Sequence, residues 1–184
     1  MTRSHARAPR GERAHGSVPN DPRPSLTLTI GLGLEGIVAP FLQVGATTAP
    51  SFRMYIEQCL APVLSVGTVV VMDNVRAHHA AGIRAAIEAV GARLLYLPPY
   101  SPDFSPVEHT GSKVKTLVRA DEPRTIQTVI KSLRRVFKRI TPKDALGWFQ
   151  SCRRCTNHER APPYASPVAI ENARGHIEVA YHLS

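Results

Sequence analysis

The chain reads as an α/β protein with a mixed sheet. Three features lead there: apolar residues alternate from Leu26 to Leu34, an unbroken apolar run spans 68–72, and segments with helical spacing follow. Alternation marks a strand with one face toward a core, and an unbroken run marks a strand covered on both faces. Helices interspersed among such strands give a layered α/β architecture.

The elements follow in order. Residues 1–24 are rich in Arg, Pro, Gly and His without a hydrophobic period, which predicts an extended basic loop. From Ser25, Leu26, Leu28 and Ile30 alternate with Thr27, Thr29 and Gly31. Glu35-Gly36 then makes a turn, and Ile37 to Val44 returns as the second strand of a hairpin. A helix opening at Pro50 or Ser51 puts Phe52, Tyr55, Ile56, Cys59 and Leu60 on one face. After the run at 68–72, the spacing predicts a helix from about Ala77 to Val90, closed by Gly91, and a strand over 93–97. Pro98, Pro99, Pro102 and Pro106 enforce an extended connection.

Helices are expected from Pro106 to about Arg119 and from about Thr125 to Ile140. The second turns Ile126, Val129, Ile130, Leu133, Val136, Phe137 and Ile140 inward, with Lys131, Arg134, Arg135, Lys138 and Arg139 outside. Thr141-Pro142 opens a short last helix holding Trp148 and Phe149. Residues 156–184 lose periodicity and read as an irregular tail.

With 184 residues, 43% of them hydrophobic, the chain can bury one core. Its net charge of +9 is unevenly spread: residues 1–24 carry a local +3, and residues 113–139 hold nine Lys and Arg against Asp121 and Glu122. Clustered positive charge favours a polyanionic partner through phosphate contact and counterion release, and a solvated basic surface is the plain alternative. No run approaches the ~18 consecutive apolar residues of a membrane helix, and the start Met1-Thr2-Arg3-Ser4-His5 lacks the apolar core of a signal peptide. Cys59, Cys152 and Cys155 form no disulfide framework, which points to a reducing, cytoplasmic setting. Cys152-x-x-Cys155 with His158 nearby is a weak zinc signal, because a structural site needs four well-spaced ligands.

Two acids carry the chemistry. Asp73 ends the apolar run, where open α/β sheets place ligand-binding residues, and Glu108 follows after 34 intervening residues, just after Ser105-Pro106-Val107. Two such carboxylates can converge on one divalent metal, a hard cation that prefers oxygen ligands. Each also has a structural reading. Asp73-Asn74 can cap the following helix, and Ser105-x-x-Glu108 has the form of a capping box with Pro at the first helical position. Asp103 can approach the same site or serve as a turn residue.

The stretches Val69-Val70-Val71-Met72-Asp73-Asn74-x-x-x-His78 and Leu97-Pro98-Pro99-Tyr100-Ser101-Pro102-Asp103-Phe104-Ser105-Pro106-Val107-Glu108-His109 resemble the mariner-related bacterial insertion-sequence transposases of the DDE superfamily. The resemblance covers residues 1–155, including Ala8-Pro9-Arg10-Gly11-Glu12-Arg13 and Asp144-Ala145-Leu146-Gly147-Trp148-Phe149. It implies a ribonuclease-H-like mixed sheet flanked by helices. The organisation it implies is a basic loop at 1–24, a partial catalytic domain at 25–155 and the tail at 156–184.

The resemblance further implies that Asp73 and Glu108 are the second and third acids of a catalytic triad binding Mg²⁺ or Mn²⁺. Two ions about 3.5–4 Å apart would bracket the attacking and leaving oxygens of a DNA phosphodiester. The implied partners are transposon-end and target DNA, further copies of the chain, and a full-length transposase or the product of an upstream reading frame. A bacterial, nucleoid-associated location follows. Arg10, Arg13, Lys113, Lys115, Arg134, Arg135 and Lys138 are the candidate DNA contacts.

The sequence departs from the family pattern in having Ser105 for Asn and Gly111 for Trp. The family's first acid, on a strand ahead of the basic loop, has no counterpart; Asp21 lies in a Pro-rich loop. The expectation is an N-terminally truncated fold with its first strand missing, an unpaired hairpin edge, and no activity of the isolated chain. A basic DNA-binding or oligomerising fragment without catalysis is the alternative. So is another metal nuclease in which Asp103 or Asp21 completes the site.

Overall fold

The computed structural model describes residues 8–13, 25–97, 105–154 and 176–181, the side chains of 153–154 and 176–181 excepted. The expected hairpin is present as β1 (Leu26–Gly33) and β2 (Gly36–Val44), paired antiparallel from Leu26 opposite Val44 to Gly33 opposite Gly36. Gly36 takes φ +117°, a conformation that side-chain-bearing residues resist. Between Thr29 and Gly31 the register shifts by one residue on β2, where Ala39 has φ +46° and Pro40 follows. A bulge beside a proline suits an edge strand, since it discourages pairing with other chains.

Thr48 opens α1 (Ala49–Tyr55) with a reciprocal cap to Ser51, and the helix runs on through a π turn at Ile56–Leu60. β3 (Val69–Met72) and β4 (Arg93–Tyr96) pair in parallel, joined by a 3₁₀ turn at Arg76–His79 and α2 (Ile83–Ala89). The helix expected over 77–90 is therefore split. Gly82 sits at φ +91°, outside the helical region, and resets the chain before Ile83. Gly91 at φ +78° ends α2 as expected.

α3 (Pro106–Ala120), α4 (Ile126–Phe137) and α5 (Pro142–Arg154) complete the helices. Ile126, expected inside, is 41% exposed because it occupies the first position of α4, before the helix meets the core. α5, at 13 residues, is longer than expected.

The largest correction concerns the tail. Residues 176–181 form β5 (His176–Tyr181), which lies between β1 and β3 and gives the strand order β2-β1-β5-β3-β4. β5 runs antiparallel to β1 and parallel to β3. The inner edge of the hairpin is thus paired, contrary to the expectation. Being interior, β1 is covered on both faces, with Thr27 and Thr29 at least as buried as Leu28 and Ile30.

Two cores result. On one face Leu28, Ile30 and Leu32 pack against Val107, Val114 and Val118 of α3, with Leu133, Val136 and Phe149 behind them. On the other, Val70, Met72 and Leu94 pack against Phe52, Tyr55, Ile56, Ile83 and Ile87. Lys113 Nζ reaches Asp144 at 2.7 Å and ties α3 to α5.

The Lys113 hydrogen bond, followed by those from Thr141, draws the Asp144 carboxyl from 3.8 down to about 2. A depressed acid adds stability above its unfolded value and loses it as pH falls through the folded one. Urea unfolding of the wild type should therefore lose stability between about pH 4 and pH 2, more steeply than the Asp144→Asn variant. At Gly111, inside α3, an added Cβ would meet nothing within 4 Å. Gly111→Ala should raise stability by about 1 kcal/mol, seen as a higher Tm.

Candidate metal centre and nucleic-acid interface

Asp73 follows β3 at the carboxyl edge of the parallel strands. The next turn carries His78, which is fully buried. His78 Nδ1 lies 2.5 Å from Asp73 Oδ1 and 3.2 Å from the Asp73 carbonyl oxygen. Oδ1 is sealed from solvent and accepts no aligned hydrogen bond, so the imidazole is its close polar neighbour. The imidazole stacks on Phe52 at 4.1 Å, and Tyr96 Oη donates to the His78 carbonyl oxygen at 2.7 Å. His79 stacks on Tyr96 and contacts the Asn74 side-chain oxygen. The carboxylate is therefore braced from behind by a ring that cannot turn without repacking Phe52.

The capping role open to Asp73-Asn74 is not taken. Val75 and Gly82 occupy the N-cap positions of the 3₁₀ turn and of α2, and neither helix start has a side-chain cap. The capping box expected at Ser105 and Glu108 is also absent. Ser105 precedes α3 without a side-chain cap bond, and only the Glu108 amide donates to the Ser105 carbonyl oxygen, at 3.2 Å. Glu108 is exposed in the first turn of α3, where the helix dipole attracts negative charge.

These two carboxylates are suitable oxygen donors for a hard cation: one is held in place and the other is free of a cap. They do not make a full ligand set, since no group of three His, Cys, Asp or Glu that could hold a metal is found among the described residues. Cys152 is buried in α5, and Cys155 and His158 lie outside the described residues, as do Asp21 and Asp103.

Of the candidate DNA contacts, Arg134 is exposed on the outer face of α4 with Lys131, and Lys138 is exposed at its C-cap with Arg139 next to it. Arg135 pairs with Asp121 at 3.0 Å, and Lys113 is engaged by Asp144 and stands 5.8 Å over the Trp148 ring. Lys115 is partly buried on α3, and Arg10 and Arg13 are exposed around a turn at Gly11. Arg124, Lys131, Arg134 and Arg135 line a surface depression together with Asp121 and Glu122. Sequence reasoning noticed the position of His78. It missed Phe52 and Tyr96 as supports, because neither is near Asp73 in sequence.

A central mixed sheet with an acid at its carboxyl edge and another on the covering helix defines a nuclease-like α/β fold. The family model for DDE superfamily endonucleases matches residues 1–130, and the chain belongs to that family. Among solved structures, it is similar to the Mos1 mariner paired-end complex with Mn, with a TM-score of 0.65 and 16% identity over 88% of this chain and 52% of that one. It is also similar to the Mos1 strand transfer complex, with a TM-score of 0.63 and 15% identity over 94% of this chain and 50% of that one. At these identities the likeness is one of fold, which is ribonuclease-H-like as expected. The chain spans about half the length of these structures. No curated protein matches. Among the described residues no helix is long and apolar enough to cross a membrane.

His78→Ala should lower stability by about 3 kcal/mol, through the cavity left against Phe52. Tyr96→Phe should cost about 1 kcal/mol, the net worth of one hydrogen bond. Urea midpoints for the two variants check both values.

Proposed function

We propose that this chain is a transposase catalytic domain that breaks and joins DNA phosphodiester bonds with divalent metal. The observation that carries the reading is Glu108. Its carboxylate is released from the capping role that would otherwise account for it. Its helix is also tethered, through 98–104, to the sheet edge that bears Asp73, where the Leu97 amide donates to the Met72 carbonyl oxygen.

Asp73 and Glu108 would hold Mg²⁺ or Mn²⁺, which when bound supplies Lewis acidity and an activated oxygen nucleophile. His78 fixes the Asp73 carboxylate, so that it need not reorganise when a cation arrives. Arg134 and Lys138, joined by Arg10, Arg13 and Lys115, would hold backbone phosphates. Lys113 and Arg135 would have to leave their ion pairs to do so. Element ends and target DNA, and assembly with further copies, belong to the same proposal. Support comes from membership of the DDE family and from a fold like that of the paired-end and strand transfer complexes.

A second reading is a basic DNA-binding chain without catalysis, favoured by the incomplete ligand set among the described residues and by the cationic face of α4. The two readings part on metal dependence. The isolated chain was expected to be inactive for want of its first strand, but β5 fills that gap in the sheet. Incubated with Mn²⁺ and DNA, the catalytic domain should therefore nick or join strands, and Asp73→Asn and Glu108→Gln should each abolish this while leaving the unfolding free energy within about 1 kcal/mol of wild type. Salt-dependent DNA binding with no metal-dependent cleavage would favour the second reading. Under either, Arg134→Ala and Lys138→Ala should each reduce the slope of log K against log[salt] by about 1.

A further inference from the structure

The cations that line the recess at the α3–α4 corner are not equivalent. Arg124, Lys131, Arg134 and Arg135 share it with Asp121 and Glu122, and its volume of about 550 Å³ has room for a sugar-phosphate unit. Arg135 Nη2 lies 3.0 Å from Asp121 Oδ2, which also accepts from Ser132 Oγ at 2.6 Å. Arg124 Nη2 lies 3.7 Å from Glu122 Oε2. Two arginines are therefore countered by acids of the same wall. Lys131 and Arg134 are exposed and make no ion pair among the described residues. Thr128 adds no donor, because its hydroxyl donates to the Thr125 carbonyl oxygen at 2.8 Å.

The two free cations belong to a longer row. Lys131, Arg134 and Lys138 stand at i, i+3 and i+7, so they share one side of α4 and its C-cap over about 10 Å. Phosphates recur about every 3.4 Å along a DNA strand, so the row faces several at once, which suits a polymer backbone better than one small anion. The row is also remote from the acids. Asp121 is the C-cap of α3, at the opposite end of that helix from Glu108 and about 20 Å away at the helical rise. A phosphate held in the recess is thus about six base pairs' length from one held at Glu108.

Resting on the reading of DNA as partner, we propose that this recess is a second duplex-binding site, in which Lys131 and Arg134 grip the backbone while Asp121 and Glu122 mask Arg135 and Arg124 and so limit the grip. The test is fluorescence anisotropy of a labelled duplex titrated with the full chain in EDTA. Between about 50 and 200 mM salt, each phosphate contact accounts for roughly a threefold loss of affinity. Lys131→Ala and Arg134→Ala should each shrink the loss by about that factor, and Glu122→Gln, which frees Arg124, should enlarge it by about as much. All three positions are exposed, so the fold is not at stake. Glu88→Gln is the control, because on α2 it frees Arg84 from a pair of 3.1 Å in the same way. An equal response there would mean that the whole basic surface binds, and would overturn the assignment. Salt dependence left unchanged by Lys131→Ala and Arg134→Ala would overturn the grip, and by Glu122→Gln the masking. Mn²⁺-dependent cleavage by a wild type whose salt dependence ignores all three variants would sink the recess alone. The expected responses without any cleavage would sink the catalytic reading alone, and a wild type that binds no duplex would sink both.

Discussion

β1 and β3 make no hydrogen bonds to each other; β5 joins them. That ladder is the constraint on which the rest of the structure depends, because each half of the sheet has its own core. The hairpin half packs Leu28, Ile30 and Leu32 against α3, α4 and α5. The parallel half packs Val70, Met72 and Leu94 against α1 and α2. Without a strand in the gap, both would present unpaired amides and carbonyls in the middle of the molecule, at the cost of open edges that invite association. The six residues of β5 satisfy both edges at once. They pair with Val69–Met72 across roughly a hundred residues of chain, so the closure entropy falls late in folding, after both halves can form locally.

Most local structure was legible because its signals are local. Alternation at Leu26–Ile30, the run at 68–72 and the inward spacing of α4 each report a period that a few neighbouring residues impose. The helix starts are more instructive. Thr48 with Ser51 and Thr125 with Thr128 form reciprocal caps, and Thr141 with Asp144 exchanges the same pair of bonds. Ser105-x-x-Glu108 carries the same type of motif and forms none. The backbone angle ψ is 162° at Thr48 and 160° at Thr125, but 98° at Ser105, whose side chain makes no cap bond. The motif states which atoms are available; the backbone conformation at the N-cap residue decides whether they meet.

β5 was illegible for a different reason. Ile177, Val179 and Tyr181 alternate with Glu178 and Ala180, but six such residues after a Pro-rich stretch carry little signal alone. Their strand character depends on a gap built by residues far away. The brace behind Asp73 was hidden in the same way. His78 is near Asp73 in sequence, yet it is fixed by Phe52 from α1 and Tyr96 from β4. Acids are recognised by type and spacing, whereas the groups that orient them come from whichever elements pack alongside.

The proposed site lies across the same junction. Asp73 belongs to the half built on β3, and Glu108 to α3, which packs on the hairpin half. Carboxylates converging from two separately packed halves repel one another, and the repulsion grows as water is excluded. A divalent cation between them reverses the sign of that interaction, so its binding would favour the docked arrangement of the halves as well as prepare the chemistry. Metal affinity and closure of the β1–β5–β3 ladder would then be linked: whatever loosened the ladder would weaken the proposed site, and a bound cation would hold the ladder shut.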